Sequence, residues 1–208
     1  MPSVGRQCSR SAGRSGGPDR SRRPLGDDPL IDSLRPPEQS VPDEPIRLVP
    51  YDSGWPARFE EERAALENVI GEWVVGDIHH VGSTAVPGLE AKPIIDILAG
   101  VRGLEESRVC FGPLARVGYM YAPYLPDEMH WFCKPHPSRR THHLHLVPVD
   151  SRRYVDELAF RDRLREDPEV AEKYVVLKRS LAARFAHDRE AYTNAKSDFI
   201  RRALGQER

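Results

Sequence analysis

The chain has 208 residues, a hydrophobic fraction of 39% and a formal net charge of -1. That length suits one domain of ordinary size, or one domain plus a tail. The near-neutral charge gives no ground for general nucleic-acid binding, no run approaches the roughly 18 apolar residues that span a bilayer, and the arginine-containing start lacks the apolar stretch of a secretory signal.

Residues 1–44 are rich in Ser, Gly, Pro and Arg and poor in large apolar side chains. Such a segment cannot bury enough surface to offset its ordering entropy, so a disordered tail is expected there and one domain over 45–208. The basic character of its first half (Arg6, Arg10, Arg14, Arg20, Arg22, Arg23) fits a solvated tail, and its prolines and glycines argue against an amphipathic transit helix. Ile46–Tyr51 reads as a short edge strand. Asp52 or Ser53 can then cap a helix with Pro56 in its first turn; Trp55, Phe59, Leu66, Val69 and Ile70 share one face, and Gly71 is a plausible stop.

A strand over Asp77–Val81 leads into the loop TAVPGLEAK, marked by Pro87-Gly88. Pro93–Val101 is an apolar run without alternation, the pattern of a strand buried on both faces. A helix is expected from Leu104 to about Val117, ending at Gly118, then strands near Tyr119–Ala122, His130–Lys134 and His142–Val149. Helices are expected over Tyr154–Arg165, Glu169–Phe185 and Ala191–Leu204. The order predicts an α+β fold, a small mixed β-sheet with helices packed on one side and a C-terminal helical region. The three cysteines, Cys8, Cys110 and Cys133, lack CxxC spacing and are expected as free thiols in a reducing cytoplasm.

Two constellations carry candidate chemistry. Gly82 lets a phosphate approach the backbone, Ser83 and Thr84 offer hydroxyls to it, and Lys92 at the far end of the loop can neutralise it, although the same residues also make an ordinary turn. Asp96 is the only charge between Lys92 and Arg102 on an otherwise apolar strand; it either has a structural partner or holds a cation. His143 and His145 are two apart, so on a strand they share a face. That spacing suits a metal, a phosphate or proton transfer, and also occurs with none of these. Lys134, His136, Arg139 and Arg140 form either a solvated basic loop or an anion-binding rim over that face.

The stretch HHVGSTAVPGLEAKPIIDILAGV resembles the signature of the GrpB family, whose members resemble the nucleotidyltransferase fold. The resemblance continues through THHLHLV, LAFRDRLREDPEVAEKYVVLKRSLA and DREAYTNAKSDFI, and covers about Ile46 to Leu204. In nucleotidyltransferases a Gly-Ser turn holds the triphosphate, acids in an Asp-x-Asp pattern on the next strand bind magnesium, and a later strand adds a carboxylate. The resemblance therefore implies that Gly82 and Ser83 are the turn and that Asp96 is the second acid. Ile94 stands at the first acid position, and His143 and His145 lie on the strand expected to supply the third. GrpB-like domains also occur fused to dephospho-CoA kinase, which implies a link to nucleotide or coenzyme A metabolism.

The activity so implied is metal-dependent transfer of a nucleotidyl group from a nucleoside triphosphate, with Asp96, His143 and His145 on the metal. Mn2+ or Zn2+ suits these ligands better than Mg2+. Lys92, Arg139 and Lys178 are the expected phosphate contacts, and Lys196 is placed like Lys178, one helical turn after a tyrosine; a solvated helix face is the alternative for both. The competing reading is a non-catalytic domain that binds a nucleotide or a partner.

Overall fold

The computed structural model describes residues 44–206, so the expected tail, Glu44 excepted, lies outside the described residues. Helix α1 (Trp55–Ile70) buries Trp55, Phe59, Glu62, Leu66 and Ile70, the three-and-four spacing of a single helical face, with a proline in its first turn. Asp52 does not cap α1 as expected: its carboxylate accepts from the backbone N–H of Gly54, which is the N-cap residue. The expected edge strand over 46–51 is reduced to one bridge, in which Val49 and Ala91 exchange backbone hydrogen bonds of 2.9 and 3.1 Å.

The sheet holds β1 (Ile78–Val81), β2 (Ile95–Val101), β3 (Met120–Tyr121), β4 (His130–His136) and β5 (Arg139–Pro148) in the order β1-β2-β5-β4-β3. Only the β2/β5 pair is parallel, so the sheet is mixed and the fold α+β, as the sequence predicts. Ile95, Ile97, Ala99 and Val101 pack with α1 and with α2 (Phe111–Arg116) on one face. Leu98 points to the other face and packs with Val147, Trp131 and Cys133 against Tyr154 and Leu158 of α3 (Arg152–Glu166). Helices thus cover both faces rather than one, the arrangement that an unalternating apolar strand requires.

Two expected helices are shorter or broken. The one over Leu104–Val117 becomes a 3-10 segment (Glu106–Cys110) followed by α2, because Pro113 cannot supply the N–H that a continuous helix needs. After α4 (Pro168–Arg184), the expected Ala191–Leu204 helix is split into α5 (Arg189–Asn194) and α6 (Ser197–Ala203) by a tight turn in which the Lys196 N–H bonds to Thr193 O. At that break the Lys196 ammonium lies over the Tyr192 ring. The basic stretch after Lys134 is not a loop but a hairpin joining β4 to β5 through Pro137 and Ser138. Among the described residues, no helix is long and apolar enough to cross a membrane. Cys110 and Cys133 are buried free thiols, both pushed up to about 11 by burial.

Candidate functional site

The face of β2 and β5 not covered by α1 meets the C-terminal helices along a cleft of about 1870 Å³. Strand register assembles its floor. Asp96 lies opposite Val81 on one side and His143 on the other, and His145 is one step along the same face. Single ligand atoms of Asp96, His143 and His145 all lie within 4.8 Å of one another. The three residues expected to share a metal therefore form one cluster, in the same cleft as Gly82 and Ser83.

Asp96 Oδ1 accepts a hydrogen bond from His143 Nδ1 at 2.8 Å. Burial opposes the carboxylate's charge, but this bond and the nearby charges of His143, His145 and Lys92 outweigh it and hold Asp96 down to about 2. Burial lowers His143 to about 4, so at neutral pH the pair is a carboxylate and a neutral imidazole. His143 Nε2 is buried and has no hydrogen-bond partner, a cost that a bound ligand would remove. One carboxylate and two imidazoles fit a divalent ion of the manganese or zinc type better than magnesium, which prefers oxygen.

The glycine of the turn is dictated by Asp96. Gly82 has φ +69 and ψ −170, and a Cβ placed there would lie 2.3 Å from Asp96 Oδ2. The turn is then fastened from below and behind. Thr84 is 1% exposed; its hydroxyl donates to Ile94 O at 3.1 Å and meets His80 Nε2 at 3.0 Å. His80, lowered to about 4 by burial, stacks on Phe59. Arg165 donates twice to Ala85 O (3.0 and 2.8 Å), and Arg161 donates to His80 O at 3.2 Å. Thr84, expected as a phosphate contact, is instead an internal brace of the turn.

Three lysines from different segments, Lys92, Lys178 and Lys196, line the same cleft as Ser83. Lys178 of α4 is 2% exposed; its ammonium donates to Ser83 Oγ at 3.2 Å and to Glu90 O, and lies 4.9 Å from the Tyr174 ring centre. Burial lowers it to about 8. Lys92 and Lys196 both approach one ring, at 5.0 and 4.6 Å from the centre of Tyr192. Burial, followed by repulsion from Lys92, lowers Lys196 to about 7 despite the pull of Asp96. Like charges gathered this closely favour an anion among them.

Two expected phosphate contacts are elsewhere. Lys134 lies opposite His142 rather than His143 in the ladder, so it emerges on the α1 face, where it donates to both oxygens of Glu62 at 2.8 and 2.6 Å. Arg139 is exposed and does not line the cleft; Arg140 does, with its guanidinium 5.0 Å from the Trp131 ring centre. The register shift at Lys134/Pro135 changes which of the two arginines faces inward.

Sequence reasoning missed Glu157. Its Oε2 accepts from His145 Nδ1 at 3.0 Å and its Oε1 from Arg153 at 3.1 Å, and Arg153 also bonds Glu128 at 2.8 Å. His145 is raised because the Glu157 carboxylate outweighs burial. A signal existed: Glu157 follows Tyr154 by three and precedes Leu164 by seven, which puts it on the packed stripe of α3.

The sequence model described as GrpB protein matches residues 45–206. A UPF0157 protein of Pseudomonas aeruginosa is 40% identical over 79% of this chain and 68% of its own length. The glutamate-rich protein GrpB of Alkalihalophilus pseudofirmus is 36% identical over 77% of this chain and 95% of its own. A dephospho-CoA kinase of Mycolicibacterium paratuberculosis is 29% identical over 76% of this chain but only 45% of its own length. The crystal structure of the conserved protein GrpB from Enterococcus faecalis superposes with a TM-score of 0.68 at 34% identity, covering 77% of this chain and 96% of that one. With its family match spanning the described domain, the chain belongs to the GrpB family.

Proposed function

We propose that the protein is a metal-dependent nucleotidyltransferase, which passes a nucleotidyl group from a nucleoside triphosphate to an acceptor hydroxyl or amine. The observation that carries this reading is the meeting, in one cleft, of the Asp96–His143–His145 cluster with the Gly82-Ser83 turn and the lysines around it.

Asp96, His143 and His145 would hold the divalent ion. Such an ion neutralises charge developing on the phosphates. Ser83 and Lys178 would meet phosphate oxygens, with Lys92 and Lys196 supplying further positive charge. Gly82 lets phosphate come close to backbone where a side chain would block it. The acceptor attacks the α-phosphorus in line and gives up its proton to solvent, the bond to the bridging oxygen breaks, and pyrophosphate leaves. The match to part of a dephospho-CoA kinase supports enzymes of coenzyme A synthesis as candidate partners.

A second reading, a nucleotide binder without turnover, is favoured by the buried Ile94 at the first position of the expected acid pair. The test is a screen of nucleoside triphosphates with Mn2+, Zn2+ or Mg2+, reading thermal shift and pyrophosphate release. Pyrophosphate release that is lost in Asp96→Asn is the expected result. Binding without release in every metal supports the binder, and no thermal shift with any nucleotide contradicts both readings.

A further inference from the structure

We infer that Glu157 is a positioning residue for the metal cluster: it holds His145 with Nδ1 protonated, so that Nε2 presents its electron pair to the cleft. The inference deepens the metal reading of Asp96, His143 and His145 and rests on it for its functional meaning. A carboxylate is an acceptor only, so at the 3.0 Å contact between His145 Nδ1 and Glu157 Oε2 the imidazole donates. In the neutral ring the proton is thereby fixed on Nδ1, and Nε2 is left as the donor atom for an ion. The neighbouring pair is built alike. His143 Nδ1 faces Asp96 Oδ1 at 2.8 Å, and its Nε2 is the buried nitrogen without a partner.

Glu157 is not available as a ligand itself. Both oxygens are engaged, Oε2 by His145 and Oε1 by Arg153 at 3.1 Å. Arg153 is in turn held by Glu128, from the segment between β3 and β4, at 2.8 Å. The chain Glu128–Arg153–Glu157–His145 thus links the segment before β4 through α3 to β5, and fixes the ring's rotation as well as its tautomer. A carboxylate on the packed face of α3 is costly without such partners. The geometry also separates the roles of the two acids: Asp96 reaches the cluster, whereas Glu157 acts on it through an imidazole.

The test compares the whole chain with Glu157→Gln, which keeps an oxygen acceptor, and Glu157→Met, which removes it. Titration calorimetry with Mn2+ and Zn2+ gives affinity, and nitrogen-15 correlation spectra of the metal-free protein at about pH 9, where imidazole is neutral, give the His145 tautomer. Circular dichroism confirms that each variant is folded. Glu157→Met is expected to lose the Nδ1–H tautomer and to weaken metal binding by roughly 10–100-fold. Glu157→Gln is expected to keep the tautomer and most of the affinity. A mixed His145 tautomer in the unaltered protein, or a Glu157→Met protein with unchanged tautomer and affinity, overturns the inference. If the unaltered protein shows the Nδ1–H tautomer but binds neither ion, the positioning contact stands and the metal reading of the cluster falls.

Discussion

Replacing Gly82 with alanine asks whether the turn and the aspartate were built for each other. Two costs add. The backbone at φ +69, ψ −170 belongs to a region almost confined to glycine, which penalises alanine by about 1–3 kcal/mol. The new methyl would also meet Asp96 Oδ2 at 2.3 Å and its Cβ and Cγ at 3.0 Å, well inside contact distance. Asp96 must then turn away, which breaks its 2.8 Å hydrogen bond to His143, a charged bond of about 1.5–3 kcal/mol. The sum is roughly 2–6 kcal/mol, with the upper end reduced by relaxation of the turn. For a domain of this size, at about 2–4 °C per kcal/mol, that lowers Tm by about 4–24 °C. Thermal unfolding followed by circular dichroism measures it, and titration with Mn2+ on the folded variant is expected to show affinity lost at least tenfold. A Gly82→Ala protein that melts within about 2 °C of the original and binds Mn2+ equally well refutes the coupling.

Lys134→Met is expected to act on stability alone. It leaves the Glu62 carboxylate, 9% exposed, without the ammonium that holds both oxygens, a loss of about 3 kcal/mol. Nucleotide affinity should be unchanged; weakened binding at an unaltered Tm would return Lys134 to the phosphate site. Lys196 gives a pH dependence whose sign follows from its depression from 10.5 to about 7. The folded state disfavours the charged amine, so a stability penalty begins as pH falls below the unfolded value and is complete below about 7. Lys196→Met should therefore stabilise the anion-free protein at pH 6, by about 1–2 kcal/mol once solvent at the cleft is allowed for. The same variant should weaken tripolyphosphate binding roughly tenfold at pH 6 and flatten the decline in affinity that the unaltered protein shows as pH rises from 6 to about 9. A stability gain without loss of anion affinity would contradict the role given to this lysine.

Strand alternation made the floor of the cleft legible in the sequence. His143 and His145 share a face because they are two apart, and Asp96 stands out because the rest of β2 is apolar. The same rule, applied through an unseen register, misplaced the rim. Lys134 and Arg139 lie in the same basic stretch as Arg140, but the pairing of Lys134 with His142 and the shift at Pro135 decide which side chains face inward. Composition cannot reveal such a shift. Thr84 was misjudged for another reason. A hydroxyl in a turn can serve a ligand or the turn, and only the positions of Ile94 O and His80 show that it serves the turn. Lys196 became specific only once the break between α5 and α6 aimed it at Tyr192, and Glu157 only once α3 was docked on the sheet. Contacts between distant segments settled these residues, and periodicity within one element does not encode them.

Diffraction from crystals soaked with Mn2+ and a non-hydrolysable nucleoside triphosphate, recorded for the anomalous signal of manganese, tests the central claim most directly. The account predicts one strong peak bounded by Asp96, His143 and His145, with phosphate density running from it to Ser83 and Lys178. Manganese bound elsewhere, or a nucleotide bound away from the Gly82-Ser83 turn, would contradict it.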